Sequence, residues 1–345
     1  MLYLWLLTWI FPFAFPCEKQ ELTLLFAGDA MQHQSQLTQA FRNTGYDYSA
    51  CFDEISAVVS AADLAIVNLE TTLGDKPYKG YPMFSSPDAF AQALQTAGFD
   101  VFLNANNHIL DRYGKGVHRT LDVLDSMQVW HTGVFRTVEE RAEHYPLLIE
   151  KNRMRIAFLN YTYGTNGIQP PASLVVNYID TAQIAFDIDR AQQLNADFII
   201  ANMHWGDEYQ LSPNTTQTKT AEWLLRKGVD IVMGNHPHVI QPIETVVDSA
   251  GQITNIVVYS LGNFISGMTA VNTDGGQMIK IRLCKHFHHK YIAECKAELI
   301  YTDRRPDFVV IPVSTEKTYD SFKINRFVSN AARVWQKNMQ IAKKF

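Results

Sequence analysis

The chain has 345 residues, 47% of them apolar and 19% charged, enough to bury a large core as one big domain or two smaller ones. Its net charge of −5 leaves no basic footprint for nucleic acid, and no lysine or arginine run points to an anionic membrane surface. Its four cysteines, Cys17, Cys51, Cys284 and Cys295, never stand at C-x-x-C spacing, which argues against a zinc knuckle or a redox motif.

The chain opens with "MLYLWLLTWIFPFAFP", which has no charged side chain before Glu18. A membrane span needs about 20 apolar residues, and Pro12 and Pro16 interrupt any helix here. Residues 1–20 read as a secretory signal or a short anchor without the usual basic start. The expected location is therefore the cell envelope: exported, periplasmic, or membrane-associated through the N-terminus. Cys17 stands where a bacterial lipoprotein is acylated, although Phe15 and Pro16 fill positions that favour small residues.

From residue 22, short apolar runs alternate with amphipathic segments. "LTLLFAG" predicts a buried strand. "CFDEISAVVSAAD" predicts a helix, with Ile55, Val58, Val59 and Ala62 at helical spacing, and "LAIVNLE" predicts a second strand. "SPDAFAQALQTAG" predicts a helix capped by Ser86, with Pro87 in its first turn and Gly98 as its stop. "FDVFLNANNH" is a strand running into polar residues, and "GVHRTLDVLDSM" a helix. "YPLLIEKNRMRIAFLNYT" predicts a hairpin turning at Lys151 to Arg153. Helix, strand, helix and strand follow in "TAQIAFDIDRAQQLNA", "DFIIANMHWG", "TKTAEWLLRKG" and "VDIVMGNHPH". The last third is mostly strands joined by short turns, before a helix over 320–341. Cys284 and Cys295 flank one such turn, at "HFHHK", and either pair when oxidised or stay free. Alternation followed by a β-rich half implies a layered α/β or α+β domain with helices covering its sheets.

Several strands end in residues that apolar strands should not carry: Asp29, Asn68 and Glu70, Asn106 with Asn107 and His108, His204, and His236 with His238. Ligands of layered α/β folds sit beyond the carboxyl ends of strands, where the loops converge. Taken singly, each residue has a plain role: Asp29 as a turn or cap residue, Asn68 and Asn106 bonding to backbone, Glu70 solvated, His204 hydrogen-bonded. Together they make a ligand set. In an extended stretch His236 and His238 point the same way, whereas the neighbours Asn107 and His108 point apart, one toward metal and one toward substrate. Glu70 can bridge two cations. A set of oxygen and nitrogen donors without thiolate suits two divalent ions, Mn, Fe or Zn. The histidines at the "HFHHK" turn read as solvated.

The blocks "FAGDAM", "VNLETTL", "NANNHILDRYGKGVHRT", "MHWGDEY", "GNHPHVIQPIE" and "YSLGNF" resemble those of CapA-type capsule and poly-γ-glutamate synthesis proteins of the calcineurin-like metallophosphoesterase superfamily. The resemblance runs from about residue 22 to 266. It implies an α+β fold, a four-layer αββα sandwich with a two-metal site at the strand ends. Residues 21–315 would form that domain and 316–345 a C-terminal helical extension. By the same resemblance Asp29 is the first acidic ligand, Glu70 the bridging carboxylate, Asn107 and His204 ligands, His236 and His238 the G-x-H pair, and His108 the catalytic histidine. One cation would take Glu70, Asn107, His204 and His236, the other Asp29, Glu70 and His238. Met31 departs from the pattern, standing where a histidine is expected, with His33 out of phase.

Asn68, Asn106, Asp111 and Glu208 are candidates for supporting the ligands or facing substrate. Asn263 joins them: a hairpin turning near Ser249 to Gly251 would set it opposite His236, unless Gly262-Asn263 is an ordinary turn. Trp205, Tyr209, Tyr161 and Tyr163 line a groove or pack in the core. The resulting expectation is a di-metal hydrolase acting on a cell-envelope polymer or phosphoester, with that polymer or its synthase complex as partner. Its rivals are a non-catalytic, metal-binding accessory of polymer synthesis or export, and a general phosphodiesterase or nucleotidase.

Overall fold

In the computed structural model, which describes residues 20–342 with His288 excepted, the predicted alternation becomes one hydrogen-bonded sheet that folds over on itself. Its first half contains β1 (Gln20–Ala30), β2 (Leu64–Leu69), β3 (Val101–Leu103) and β4 (Trp130–Thr132), all parallel, in the order β4-β3-β2-β1. The second half contains β5 (Leu147–Lys151), β6 (Met154–Thr162), β7 (Phe198–His204), β8 (Ile231–Asn235), β9 (Ile243–Val247) and β10 (Ile253–Val258). There the order is β5-β6-β7-β8-β10, parallel from β6 onward, with β5 antiparallel at the edge and β9 antiparallel on β10. A short strand, β11 (Asn263–Ile265), runs parallel beside β1. The long hairpin of β12 (Gly275–His286) and β13 (His289–Asp303) links the halves, β12 pairing with β1 and β13 with β10.

Side-chain alternation explains the layering. Leu24, Phe26 and Ile66 of the first half face Ile156, Phe158, Ile200 and Met233 of the second, forming a core between the two sheet faces. The alternate residues Leu25, Ala27 and Val67 turn outward under the helices α2 (Asp53–Ser60), α3 (Asp88–Thr96) and α4 (Tyr113–Ser126); the short α1 (Gln34–Ala40) adds Ala40 to that cluster. On the far side, past α5 (Val138–His144), Leu159, Ile199, Ala201 and Val232 pack under α6 (Thr181–Gln193) and α7 (Thr215–Arg226). Strands buried on both faces read as continuous apolar runs. The architecture is α+β, a four-layer αββα sandwich.

Two details differ from the sequence reading. Helix α3 starts at Asp88 with Pro87 as N-cap, because the Ser86 hydroxyl is engaged with that of Thr71 at 2.6 Å. The final helix, α8 (Phe322–Trp335), lays Phe327, Val328 and Ala331 on Leu299 and Tyr301. It stops short of 341, and Met339–Ala342 instead runs parallel to β9. Cys284 and Cys295 do not stand opposite each other: across the hairpin Cys284 faces Tyr291 and Cys295 faces Ile281. The hairpin at Lys151 does form, its turn residues Asn152 and Arg153 both at positive φ, as a two-residue turn requires. The apolar leader and Cys17 lie outside the described residues, and among those described no helix is long and apolar enough to cross a membrane.

Candidate metal centre

The site begins with a break in pairing. Ala27 faces Val67 and Asp29 faces Asn68, so Gly28 is an extra residue in β1. A Cβ on Gly28 would stand 1.9 Å from the Gly262 carbonyl oxygen, which leaves room for glycine alone. The Asp29 amide donates to that same carbonyl at 3.0 Å, and β11 pairs Asp29 with Asn263. These contacts hold the Asp29 carboxylate at the strand ends.

Asp29 Oδ1 accepts from Asn68 Nδ2 at 2.7 Å, and its Oδ2 from the His236 backbone N–H at 3.2 Å and from His238 Nδ1 at 3.1 Å. Asn263 Oδ1 is a second acceptor for His238 Nδ1, also at 3.1 Å, while its amide nitrogen donates to the Thr273 carbonyl. With Nδ1–H so committed, His238 turns its Nε2 toward Glu70 Oε1, 3.8 Å away. His204 Nε2 lies 2.8 Å from Asn107 Oδ1 and 3.7 Å from Glu70 Oε1. Asn107 is aimed by its own amide, which donates to Asn166 Oδ1 at 3.3 Å.

Glu70 is fully buried, and neither of its oxygens has a hydrogen-bond partner; His236 Nδ1 is equally bare. Buried polar atoms are nearly always satisfied. Two bare carboxylate oxygens beside bare imidazole nitrogen are what a cation completes. Ligand atoms of Glu70, His236 and His238 fall within 4.8 Å of one another, and so do those of Asp29, Glu70 and His204. The donor set therefore fits divalent metal. Glu70 is common to both groups.

Electrostatics agree. Burial, then the charge of Asp29, pushes the Glu70 carboxyl well above its ordinary value of 4.5. Burial, then the charge of His236, holds His204 far below 6.5, and burial, then His238, brings His236 down to about 3. Imidazoles kept neutral are ready ligands, whereas the carboxyl waits for a positive charge to ionise it.

The signs give a pH prediction for metal-free protein. A raised Glu70 stabilises the fold below about pH 4.5, and that contribution is lost as pH rises. Lowered histidines cost stability as pH falls below 6.5. Bound cation relieves the alkaline penalty. The gain in Tm on adding Mn²⁺ is expected to be small near pH 4.5 and to reach roughly 10 °C by pH 7.5. Scanning calorimetry with and without chelator checks it, and a gain that does not vary with pH would remove Glu70 from the centre.

His108 stands beside this group. Its Nδ1 donates to Asp111 Oδ2 at 2.7 Å, and the same carboxylate oxygen accepts from the Phe84 amide at 2.8 Å. The Phe84 ring sits edge-on to the imidazole, centroids 4.7 Å apart. Asn106 Oδ1 accepts from the His108 backbone N–H at 3.2 Å while its amide donates to the Leu69 carbonyl, so Asn106 ties the two ligand loops together. Glu208 is exposed, and its charge adds to the upward push on Glu70.

Asp29, Glu70, Asn107, His204, His236 and His238 thus come together, but some of the geometry that brings them there was misjudged. His236 and His238 are not in extended chain: their φ angles are +97° and +58°, a left-handed turn that few non-glycine residues adopt. Asn107 and His108 lie in a loop beyond the three-residue β3, so their divergence is a loop property and not strand alternation. Asn263 orients His238 and not His236, because β11 joins β1 instead of continuing the hairpin. Trp205 and Tyr161 are buried, with Trp205 Nε1 on the Tyr259 carbonyl and Tyr161 Oη on Asp187. Sequence reasoning missed Phe84 and Asn166. Both come from loops whose patterns carry no periodic signal.

Met31 is buried at 2% exposure where imidazole is expected. His33 is no substitute: its Nδ1 accepts from the Gly267 amide at 3.2 Å, so its neutral ring carries the proton on Nε2. A thioether is a poor partner for a hard or borderline cation. One metal should therefore be held tightly and a second only in excess, with Met31→His tightening the second by about 10–100-fold. Competitive chelator titration reads this directly, and two equally tight metals in the unmodified protein would refute it.

A family model described as Bacterial capsule synthesis protein PGA_cap matches residues 23–268. The capsule biosynthesis protein CapA of Bacillus anthracis is 26% identical over 282 residues, covering 77% of this chain and 65% of that protein. The PGA biosynthesis protein CapA of Bacillus subtilis (strain 168) is 24% identical over 279 residues, covering 77% and 68%. The chain thus spans about two thirds of the length of these curated relatives. Among solved structures, the calcineurin-like phosphoesterase YfkN from Bacillus subtilis aligns with a TM-score of 0.48 and 14% identity, over 92% of this chain and 98% of that one.

Proposed function

This chain belongs to the family of bacterial capsule synthesis proteins described as PGA_cap, and from that premise we propose that it is a divalent-metal-dependent hydrolase acting on a polymer or phosphoester of the cell envelope. The observation that carries the reading is Glu70, sealed from solvent with both oxygens bare among three imidazoles. Asp29, Glu70, Asn107, His204, His236 and His238 are the residues that would hold the metal. When bound, divalent cations supply Lewis acidity and an activated water.

The protein's own part is positional. Asp29 and Asn263 fix His238 by its Nδ1–H, and Asn68 fixes Asp29. Asp111 accepts from His108 Nδ1–H, which leaves the Nε2 lone pair to take up a proton and pass it to the departing group, the Asp111 carboxylate steadying the imidazolium in between. Thr72 Oγ1 donates to the His108 carbonyl at 2.8 Å and so ties the two loops together. The polymer or its synthase complex is the proposed partner.

The test is metal analysis of purified protein together with a screen of phosphoesters and γ-glutamyl oligomers. Turnover lost on chelation and restored by metal supports the hydrolase. Met31 favours a second reading, a metal-binding accessory of synthesis or export, and bound metal without turnover of either substrate class would select it.

A further inference from the structure

A cavity of about 300 Å³ opens between the loop after β2 and the first turns of α4. Four cations line it, Lys76, Arg112, Lys115 and Arg119, against one acid, Asp75. In a chain of net charge −5 that is a local excess of the opposite sign. The cavity backs onto the loop of His108: a Cβ on Gly116, in its lining, would stand 2.8 Å from Thr72 Cγ2, and Thr72 Oγ1 holds the His108 carbonyl. No residue of the two ligand groups takes part in it.

Two of the four cations are engaged. Lys115 Nζ lies 2.7 Å from Asp75 Oδ2, while Arg119 donates from Nε to Asp75 Oδ1 at 3.1 Å and forks onto Asp88 at 2.6 and 3.1 Å. Among the described residues, Lys76 and Arg112 have no carboxylate partner. The acid next to Arg112 in the chain, Asp111, is turned to His108 and to the Phe84 amide, and the first turn of α4 holds no acid. Arg112 is nonetheless half-buried, its stem fitted between two glycines. A Cβ on Gly74 would stand 3.0 Å from its Cγ, and one on Gly116 2.3 Å from its Cβ. A guanidinium presents five N–H donors in a planar fork, and here that fork lines a cavity without a protein acceptor.

We infer that this cavity is an oxyanion-binding site, in which the Arg112 fork takes a phosphate or carboxylate group and Lys76 adds the second charge. Pairs of guanidinium with either group are strong because two parallel N–H donors meet two oxygens. Asp75 does not fill the role, since Lys115 and Arg119 hold both of its oxygens. At about 300 Å³ the cavity lies at the small end of ligand pockets, with room for one such group and the body of its molecule outside. The site is separate from the metal centre, so the inference stands whether or not the chain is a hydrolase.

The experiment is calorimetric titration of the full chain with inorganic phosphate and, in parallel, with glutarate. Each is run on protein as purified and on protein stripped of metal by chelator and then dialysed. At least one of the two anions should bind the stripped chain at one equivalent, and the tighter of them names the source, a phosphate or a carboxylate. Arg112→Ala should weaken that binding by about 10–100-fold and the exposed Lys76→Ala by about two- to fivefold. Arg112→Lys should fall between them, because it keeps the stem and the charge but loses the fork; it reads the fork even where alanine unsettles the loop. Metal content should stay unchanged in all three variants. Failure of both anions to bind the stripped chain, binding that stripping abolishes, or undiminished affinity in the three variants would overturn the site.

Discussion

Glu70→Gln is expected to act with opposite signs on two quantities: metal affinity collapses while the metal-free fold gains stability. The carboxylate is fully buried, lacks any hydrogen-bond partner, and belongs to both ligand groups of the centre. Metal sites of about four protein ligands contribute about 10–16 kcal/mol, so losing one charged ligand should lower affinity by about 10²–10³-fold. The metal-free protein carries the cost of holding an acid in a core whose burial already pushes it toward the neutral form. An amide has no charge to desolvate, and the gain should be about 1 kcal/mol or more at neutral pH. Elemental analysis gives the first quantity, and denaturant melts in chelator give the second. A purely structural carboxylate would behave otherwise: its loss would destabilise the chelated protein and leave metal content unchanged.

What the sequence made legible follows from periodicity. Strands buried on both faces announce themselves as apolar runs, and the polar residues that interrupt those runs at their ends, Asp29, Glu70 and His204, fall at the site because parallel strands share a direction. What lay outside such reasoning depends on contacts between distant segments. Nothing local says that β11 pairs with β1, and that pairing decides that Asn263 serves His238. Nothing local says that "NHPH" turns left-handed at both histidines; strand alternation brought His236 and His238 together for the wrong reason. Phe84 reaches His108 from a loop between β2 and α3 with no periodic signature, and Tyr81 arrives with it. Of the four aromatic residues offered for a groove, burial divides them cleanly, Tyr161 and Trp205 inside and Tyr163 and Tyr209 outside, a division set by packing partners on other strands.

His108→Ala should lower turnover by roughly 10²–10⁴-fold, the usual share of a positioned general acid–base group, with metal content retained. The expectation rests on how the ring is held. Asp111 takes the Nδ1 proton at 2.7 Å and the Phe84 amide fixes Asp111, while Thr72 and Asn106 pin the backbone of His108 from either side. One contact to the ring, one to the carboxylate behind it and two to the backbone fix a residue that no ligand group includes. That arrangement makes sense for a group whose task is to carry a proton at Nε2. Asp111→Asn separates the roles further: an amide has no charge to steady the imidazolium, and one that donates to Nδ1 removes the Nε2 lone pair that must take up the proton before passing it on. Turnover should fall by roughly 10–100-fold, the scale typical of a lost orienting partner, again without loss of metal. The pH–rate profile should change shape in Asp111→Asn and not merely drop, because the altered step is a proton transfer. Metal lost from His108→Ala would make His108 a ligand, and a rate unchanged in both variants would leave the chain an accessory that binds metal and performs no hydrolysis.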